Sequence, residues 1–376
     1  MVGERMSQGL KLPAVGEEQI GLLEKLCNAN GVSGDEGEIR KIVLEQIQQH
    51  VEEHALHDRV KTHIDPLGNL LVTRNGLGEQ RLRVMLAAHM DEVGMMLVYD
   101  EENGVFRFEG VGGLTDDFLV GKPVLVGKER VPGVVGIKPI HLATAEELRR
   151  KVTLDALRID VGPGNGGKVK VGDRAAFATS FLQSGPSLRG KALDDRLGVA
   201  TLLEIFKMAP ENIDMLAAFT VQEEVGLRGA RVAAYALEPQ LAFILECTPA
   251  RDLPPWDVGD EGSRENAQYN TRLGGGPAIY VADRGTISDP RLIRHLVAMA
   301  EEYHIPYQLR QPGQGRTDAS AVHLQRSGIP SISVAVPGRY THTPVSLARR
   351  EDWENCLALL YVALHRLPAD ILDAAR

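Results

Sequence analysis

The chain is poor in cysteine and has fewer basic than acidic residues. Only three of its 376 residues are cysteine (Cys27, Cys247 and Cys356), and no two of them form a Cys-x-x-Cys pair. This argues against a disulfide framework or a cysteine-rich zinc ribbon and fits a reducing compartment. Because 42 basic residues face 51 acidic ones, the formal net charge is −9. A general nucleic-acid binder carries a basic footprint, so no nucleic-acid partner is expected.

Signals for membranes and export are also missing from the sequence. No run approaches the roughly 18 consecutive apolar residues that a membrane-spanning helix needs. The N-terminal stretch carries an acid at Glu4 and lacks the apolar segment of a secretory signal. We therefore expect no membrane partner and a cytoplasmic location.

What the sequence does contain is an alternation of strand-like and helix-like patterns. Short apolar strands are predicted at 69–73, 82–88, 215–221, 241–245 and 331–336. Helical spacing is found at 39–47, from 194 onward, at 292–299 and at 353–364. Such alternation is typical of an α/β fold. Ser33, with Glu36 three residues later, matches a capping box before the 39–47 helix.

Residues 104–172 have a different composition. They hold 13 of the 39 glycines, with short apolar runs between them. This pattern predicts a small β-barrel or sandwich, inserted into the α/β part because α/β character resumes afterwards. An elaborated sheet edge within a single domain is the alternative.

Four of the predicted strands lead to residues that can bind metals. His89 and Asp91 follow the strand at 82–88, the pair Glu223-Glu224 follows 215–221, Glu246 follows 241–245, and His342 follows 331–336 after a short loop. The acidic pair Asp194-Asp195 opens a predicted helix. Ligands of open α/β sheets gather outside the carboxyl ends of the strands, so these side chains are expected to converge. Each alone is more often a surface residue, but together they indicate a metal site.

Eight short motifs resemble, in order, those of the M42 family of metallo-aminopeptidases. The resemblance covers nearly the whole chain from about residue 20. The motifs are Gly31–Gly34, Asp65–Asn69, Ala88–Gly94, Gly136–Pro139 with His141, Gly190–Arg196, Gln222–Gly226, Gly315–Ala319 and Arg339–Val345.

The resemblance implies a set of metal ligands. Asp194 would bridge two divalent metal ions, His89 and Glu246 would complete one ion, and Glu224 and His342 the other. Many relatives carry Asp where this chain has Glu246. This mixed set of nitrogen and oxygen donors suits zinc first, with cobalt or manganese as alternatives.

The resemblance also implies how the reaction proceeds. Two metals roughly 3.5–4 Å apart can hold a hydroxide between them as the nucleophile and polarise the scissile carbonyl. Glu223 would be the general base. A free glutamate has a pKa of about 4.3, so Glu223 is expected to be ionised near neutrality. Asp91 would orient His89.

The implied fold is α/β, with a central mixed sheet flanked by helices as in di-metal aminopeptidases. Residues 1–93 and 187–376 would form the catalytic domain, and 94–186 an inserted β-barrel domain for subunit contacts. Twelve subunits would form a homo-oligomer that removes N-terminal residues from short peptides with a free N-terminus.

Other functions remain open at this point. A related di-metal amidohydrolase, acting as a deacylase or carboxypeptidase, would share the metal cluster. A non-catalytic binding or scaffold member of the family is a second alternative. Glycosidases normally use two carboxylates without a metal pair, so the histidines argue against that activity. Asp318 could recognise a substrate amino group or simply cap a helix start.

Overall fold

Strands and helices alternate through most of the chain. The computed structural model describes residues 6, 7, 9–79, 81–146, 149–253, 271–313 and 315–376. The α-helices of these residues are α1 (Glu17–Asn28), α2 (Gly37–Glu53), α3 (Leu193–Lys207), α4 (Arg228–Leu237), α5 (Pro290–Glu302), α6 (Ala319–Val322) and α7 (Arg350–His365). Among them, none combines the length and the apolar character that crossing a bilayer requires.

The strands of the same described residues form a short hairpin, a closed barrel and one large sheet. They are β1 (Met6–Ser7), β2 (Leu10–Lys11), β3 (Val60–Ile64), β4 (Leu70–Arg74), β5 (Leu82–His89), β6 (Gly94–Asp100), β7 (Val105–Val111), β8 (Pro123–Val126), β9 (Val131–Ile137), β10 (Leu157–Asp160), β11 (Arg174–Phe177), β12 (Leu182–Ser184), β13 (Ser187–Gly190), β14 (Ile213–Thr220), β15 (Leu241–Pro249), β16 (Ala278–Tyr280), β17 (Gln308–Arg310), β18 (Ser331–Arg339) and β19 (Ser346–Arg349).

The large sheet is mixed, as the family resemblance implied. Its order is β12-β13-β19-β18-β15-β5-β14-β4-β3, with β16 beside β18 and β17 beside β16. The four strands β18, β15, β5 and β14 run parallel, whereas β4 and β19 pair antiparallel with their neighbours. The carboxyl ends of the four parallel strands therefore lie at one edge of the sheet.

Helices cover both faces of this sheet. Along β5, Val84 and Leu86 belong to the apolar core that includes residues of α3 and α7. Met85 and Ala87, one position on, belong to a second core with α4 and α6. Side chains of a strand alternate between the two faces, so a strand buried on both sides reads as a continuous apolar run. This explains why the sequence located the central strands.

Residues 94–177 carry the six strands of the closed barrel, in the order β10-β7-β6-β11-β8-β9. In β7, Phe106 and Phe108 are buried inside the barrel while Arg107 and Glu109 face outward. This agrees with the predicted small barrel. The division of the chain into domains at 94–186 stays a prediction, and β12, which falls inside that range, pairs in the large sheet.

Two local predictions were wrong. The strand expected to end before Glu246 continues to Pro249, because its pairing with β18 extends that far. The capping box at Ser33 does not form, since α2 begins at Gly37 with Glu36 as its N-cap. The Ser33 hydroxyl instead donates a hydrogen bond to the Asp91 carboxylate.

Candidate metal centre

His89 and Glu246 lie side by side where two parallel strands separate. The pairing of β5 with β15 runs to Ala87 and Ile244 and stops there. Two residues later, His89 Nε2 is 3.9 Å from Glu246 Oε2. Both side chains are buried, with 2% and 7% of their surface exposed.

Asp194 connects this pair to a second imidazole. It lies in the first turn of α3, where Asp194 and Asp195 have non-helical backbone angles. Asp194 Oδ1 is 3.5 Å from His89 Nε2, and Oδ2 is 3.4 Å from His342 Nε2. Each oxygen of one carboxylate thus faces a different histidine.

Glu224 completes the second group. Its Oε2 is 3.4 Å from His342 Nε2. In the described part of the chain, three sets offer ligand atoms within 4.8 Å of one another: His89 with Asp194 and Glu246; Asp194 with Glu224 and His342; and His89 with Glu223 and Glu224. We call these six residues the carboxylate cluster.

The spacing in the carboxylate cluster suits a metal better than direct hydrogen bonds. A good N–H···O bond measures about 2.7–3.2 Å, shorter than the 3.4 and 3.5 Å separations between the imidazoles and Asp194. Donors bound tetrahedrally at zinc distances lie about 3.3 Å from each other. The donor chemistry fits as well, since imidazole and carboxylate are common ligands of divalent transition metals.

Both imidazoles are turned so that Nε2 faces the carboxylates. His89 Nδ1 lies 3.1 Å from the main-chain oxygen of Asp91, and His342 Nδ1 lies 3.1 Å from that of Gly113, just after β7. An imidazole that donates through one ring nitrogen offers the other as a ligand. The carbonyls of Asp91 and Gly113 therefore orient the two rings.

The Asp91 carboxylate organises the neighbouring turn. It lies 3.5 Å from His89 Nδ1, so the closer contact to the ring comes from its main chain. Asp91 accepts hydrogen bonds from the backbone amides of Glu223 at 2.9 Å and Glu224 at 3.1 Å, and from Ser33 Oγ at 2.6 Å. It thus joins the end of β5 to the turn after β14.

The electrostatics reflect crowded negative charge. Burial, with the nearby carboxylates, raises the pKa of Glu223 and Glu246 well above the usual value and that of Glu224 to about 7. Burial alone would lower the pKa of His342, but Asp194 and Glu224 outweigh it and raise the pKa to about 9. The expectation that Glu223 is ionised near neutrality, based on the free amino acid, therefore needs nearby positive charge, which favours the ionised form.

Asp318 does not act as the helix cap that the sequence left open. It stands at the start of α6, but its side chain makes no capping hydrogen bond. It accepts instead from Thr220 Oγ1 at 2.7 Å. Burial raises its pKa to about 6.

A second buried polar group lies beside the centre and consists of Glu92, Lys191 and Arg196. We call it the salt-bridge cluster. The sequence analysis gave these residues no role. Lys191 Nζ lies 2.7 and 2.8 Å from the two oxygens of Glu92, and Arg196 Nη2 lies 3.2 Å from Oε1. Arg196 Nη1 also donates to the carbonyl of Met90 at 2.5 Å. The sequence does place these three charged residues inside motifs that also contain ligand candidates. Their spacing, however, does not indicate that they pair.

Comparisons with known proteins show the family of the chain. The sequence model of the family described as M42 glutamyl aminopeptidase matches residues 68–359. The lysyl aminopeptidase of Pyrococcus furiosus is 31% identical over 358 residues, covering 92% of this chain and 96% of that protein. The structure of a TET aminopeptidase from a marine sediment archaeon superposes with a TM-score of 0.85 at 30% identity, covering 95% of this chain and 99% of the other.

A third relative is the Pyrococcus horikoshii TET1 peptidase, described as assembling into a tetrahedron or a large octahedral shell. It has a TM-score of 0.77 and 31% identity, covering 93% of this chain and all of the other. The family match spans more than half of the chain, and the relatives align over nearly their full length. The resemblance noted from the motifs is thereby confirmed, and the chain belongs to the M42 family of aminopeptidases.

Proposed function

We propose that this protein is a di-metal aminopeptidase that removes N-terminal residues from short peptides. One observation carries the proposal: the two oxygens of Asp194 face two different imidazoles, at 3.5 and 3.4 Å. Each half of that arrangement has a further carboxylate, Glu246 on one side and Glu224 on the other. His89, Asp194 and Glu246 would hold one ion. Asp194, Glu224 and His342 would hold the other.

The bound ions, with zinc first and cobalt or manganese as alternatives, would polarise the scissile carbonyl and lower the pKa of water. Side chains of the protein would carry out the proton transfers. Glu223 belongs to neither of the two sets assigned to the ions, although it shares a third group of donors with His89 and Glu224. Its carboxylate would accept a proton from the attacking water. The same oxygen would pass that proton to the nitrogen of the leaving amine. Asp91 would support both partners, since it contacts His89 and binds the Glu223 amide.

We also propose that the subunits form a homo-oligomer, a dodecamer by analogy with TET1 structures described as a dodecamer and as a tetrahedron. The barrel supports this because it exposes apolar side chains around β9. Val134 and Ile137 are 40% and 38% exposed, and Ile140 and Leu142, just after the strand, are 76% and 62% exposed. Light scattering that finds only a 41.0 kDa monomer would refute the assembly.

The decisive test compares substrates and one variant. Leucyl, glutamyl and lysyl amides should be hydrolysed, whereas N-acetyl amino acids should not, because the peptidase requires a free α-amine. Glu223→Gln should lower kcat about 10²- to 10⁴-fold while the metal content measured by mass spectrometry stays unchanged. Hydrolysis of the acetylated compounds would favour the amidohydrolase. Full activity of Glu223→Gln would show that Glu223 is not the general base. If the wild-type protein hydrolyses none of these compounds, the binding-protein alternative is favoured.

A further inference from the structure

A buried arginine lines the cavity that opens beside the carboxylate cluster. Arg310, the last residue of β17, is 7% exposed. The same cavity is lined by His89, Asp194, Glu223 and Glu246. Arg310 thus borders the space that a substrate would enter, and no role described above uses it.

Contacts on two sides hold Arg310 in place. Its Nε donates to Thr248 Oγ1 at 3.0 Å, and its guanidinium carbon lies 4.2 Å from the centre of the Tyr280 ring. The Tyr280 hydroxyl donates to the same Thr248 oxygen at 3.0 Å. Loss of side-chain freedom on binding is therefore small, because the guanidinium is already oriented.

One end of the guanidinium is left without a partner. Arg310 Nη1 is buried and has no hydrogen-bond acceptor within the described residues. Buried polar groups are nearly always hydrogen-bonded, so an orphaned cationic donor that lines a substrate cavity indicates a ligand. The natural partner of a planar guanidinium is a carboxylate, which it can bind through two parallel hydrogen bonds.

The distance to the reaction centre fits a short substrate group. Thr248 follows Glu246 by two positions on β15, so both side chains lie on the same face of the strand. Two residues of strand span about 6.6 Å. Arg310 is therefore anchored one short side chain away from the proposed metal ligand Glu246.

We propose that Arg310 binds a carboxylate of the substrate and thereby sets which peptides the enzyme prefers. This inference rests on the proposed aminopeptidase function. Family membership leaves the choice open, since the family description names glutamyl residues while the Pyrococcus furiosus relative is named for lysyl residues. The carboxylate can come from the side chain of an N-terminal Asp or Glu, or from the C-terminus of a dipeptide. A lysyl side chain would meet like charge there.

The experiment separates these sources with three substrates. Glutamyl amide carries only a side-chain carboxylate, leucyl-glycine only a terminal one, and leucyl amide neither. In Arg310→Gln, kcat/KM for a carboxylate-bearing substrate should fall on the order of tenfold to a hundredfold relative to leucyl amide, as expected for a lost charged hydrogen bond. The substrate that falls identifies the source. An equal fall for all three substrates, or none, overturns the proposal.

Two further variants keep the test sharp. Arg316 lines the same cavity but is exposed, so Arg316→Gln serves as the matched comparison, and a selective loss there instead of at Arg310 also overturns the proposal. If Arg310→Gln does not fold, Arg310→Lys keeps the charge without the planar fork. With the same three substrates, it should lower kcat/KM about tenfold or more for the carboxylate-bearing substrate relative to leucyl amide. A wild-type protein inactive on every substrate would refute the proposed function, whereas activity without a carboxylate preference would refute only the role of Arg310.

Discussion

Two polar clusters lie at the two ends of the short segment from His89 to Glu92. Basic side chains balance the carboxylate charge in only one of them. His89 faces the carboxylate cluster, where four carboxylates share two imidazoles. Glu92 faces the salt-bridge cluster, where one carboxylate meets both Lys191 and Arg196. Buried charges persist when they are paired, so the first cluster must take up protons or external cations whereas the second need not. The comparison separates the proposed metal site from a structural support although the two are close in sequence.

The largest effect is expected from removing the charge that joins the two halves of the carboxylate cluster. Asp194→Asn keeps the side-chain volume but loses the oxygen pair that faces both imidazoles. We expect metal binding to fall from two ions per subunit to fewer than one and hydrolysis to become undetectable, as measured by calorimetric titration and leucyl amide assay. Circular dichroism should show the fold retained, because asparagine fills the same volume at this position. Two tightly bound ions in this variant would show that Asp194 is not the bridge.

Disrupting the salt-bridge cluster should instead lower the stability of the fold. Lys191→Met removes one cation and leaves Glu92 2% exposed with Arg196 as its remaining cationic partner. Breaking a buried pair in this way costs about 3–5 kcal/mol of unfolding free energy. Urea denaturation at one fixed protein concentration measures it. The double variant Lys191→Met with Glu92→Gln should recover part of the loss. If Lys191→Met is as stable as the wild type, the cluster does not support the fold.

A third effect concerns pH in metal-free protein. Glu224, raised in the folded state to a pKa of about 7, holds a proton that the unfolded chain has already released. His342, with a pKa of about 9, does the same at higher pH. In both cases the folded state binds more protons, so stability of the chelated protein should fall as pH rises from about 5 to 9. Adding zinc should flatten this dependence, because the cation replaces the protons. Thermal denaturation across that pH range, with and without metal, checks both slopes.

The sequence predicted the strands, helices and barrel that local patterns encode. The central strands were found because short apolar runs such as Val84–Ala88 are typical of strands buried on both faces, and the barrel because its glycines separate short strands. Most ligand candidates followed from their place after those strands, whereas Asp194 was singled out at the start of a helix and by the family resemblance. Their roles as ligands and base stay predictions.

What the sequence could not show was pairing over long distances. Ser33 looked like a helix cap but bonds Asp91, 58 residues away. His342 takes its orientation from Gly113, 229 residues away in sequence. Arg310 carried no motif. Its burial beside the cavity, its packing on Tyr280 and its unpartnered Nη1 become visible only in the structure. Local patterns give no information about such partners, because these contacts depend on how the sheet and the barrel are placed.

The smallest expected effect tests whether the barrel segment positions the metal centre. A Cβ added at Gly113 would lie 3.0 Å from His342 Nδ1, so Gly113→Ala should push the ring by a few tenths of an ångström. We expect weaker metal binding and a loss of activity of up to about tenfold, the lower end of what disturbing the support of a ligand costs. Gly110→Ala is the matched control from β7, since its added Cβ would meet nothing closer than 4.0 Å. Equal behaviour of the two variants in metal titration would mean that the Gly113 carbonyl merely neighbours His342. A selective loss in Gly113→Ala would show that the barrel segment shapes a site otherwise built on the large sheet.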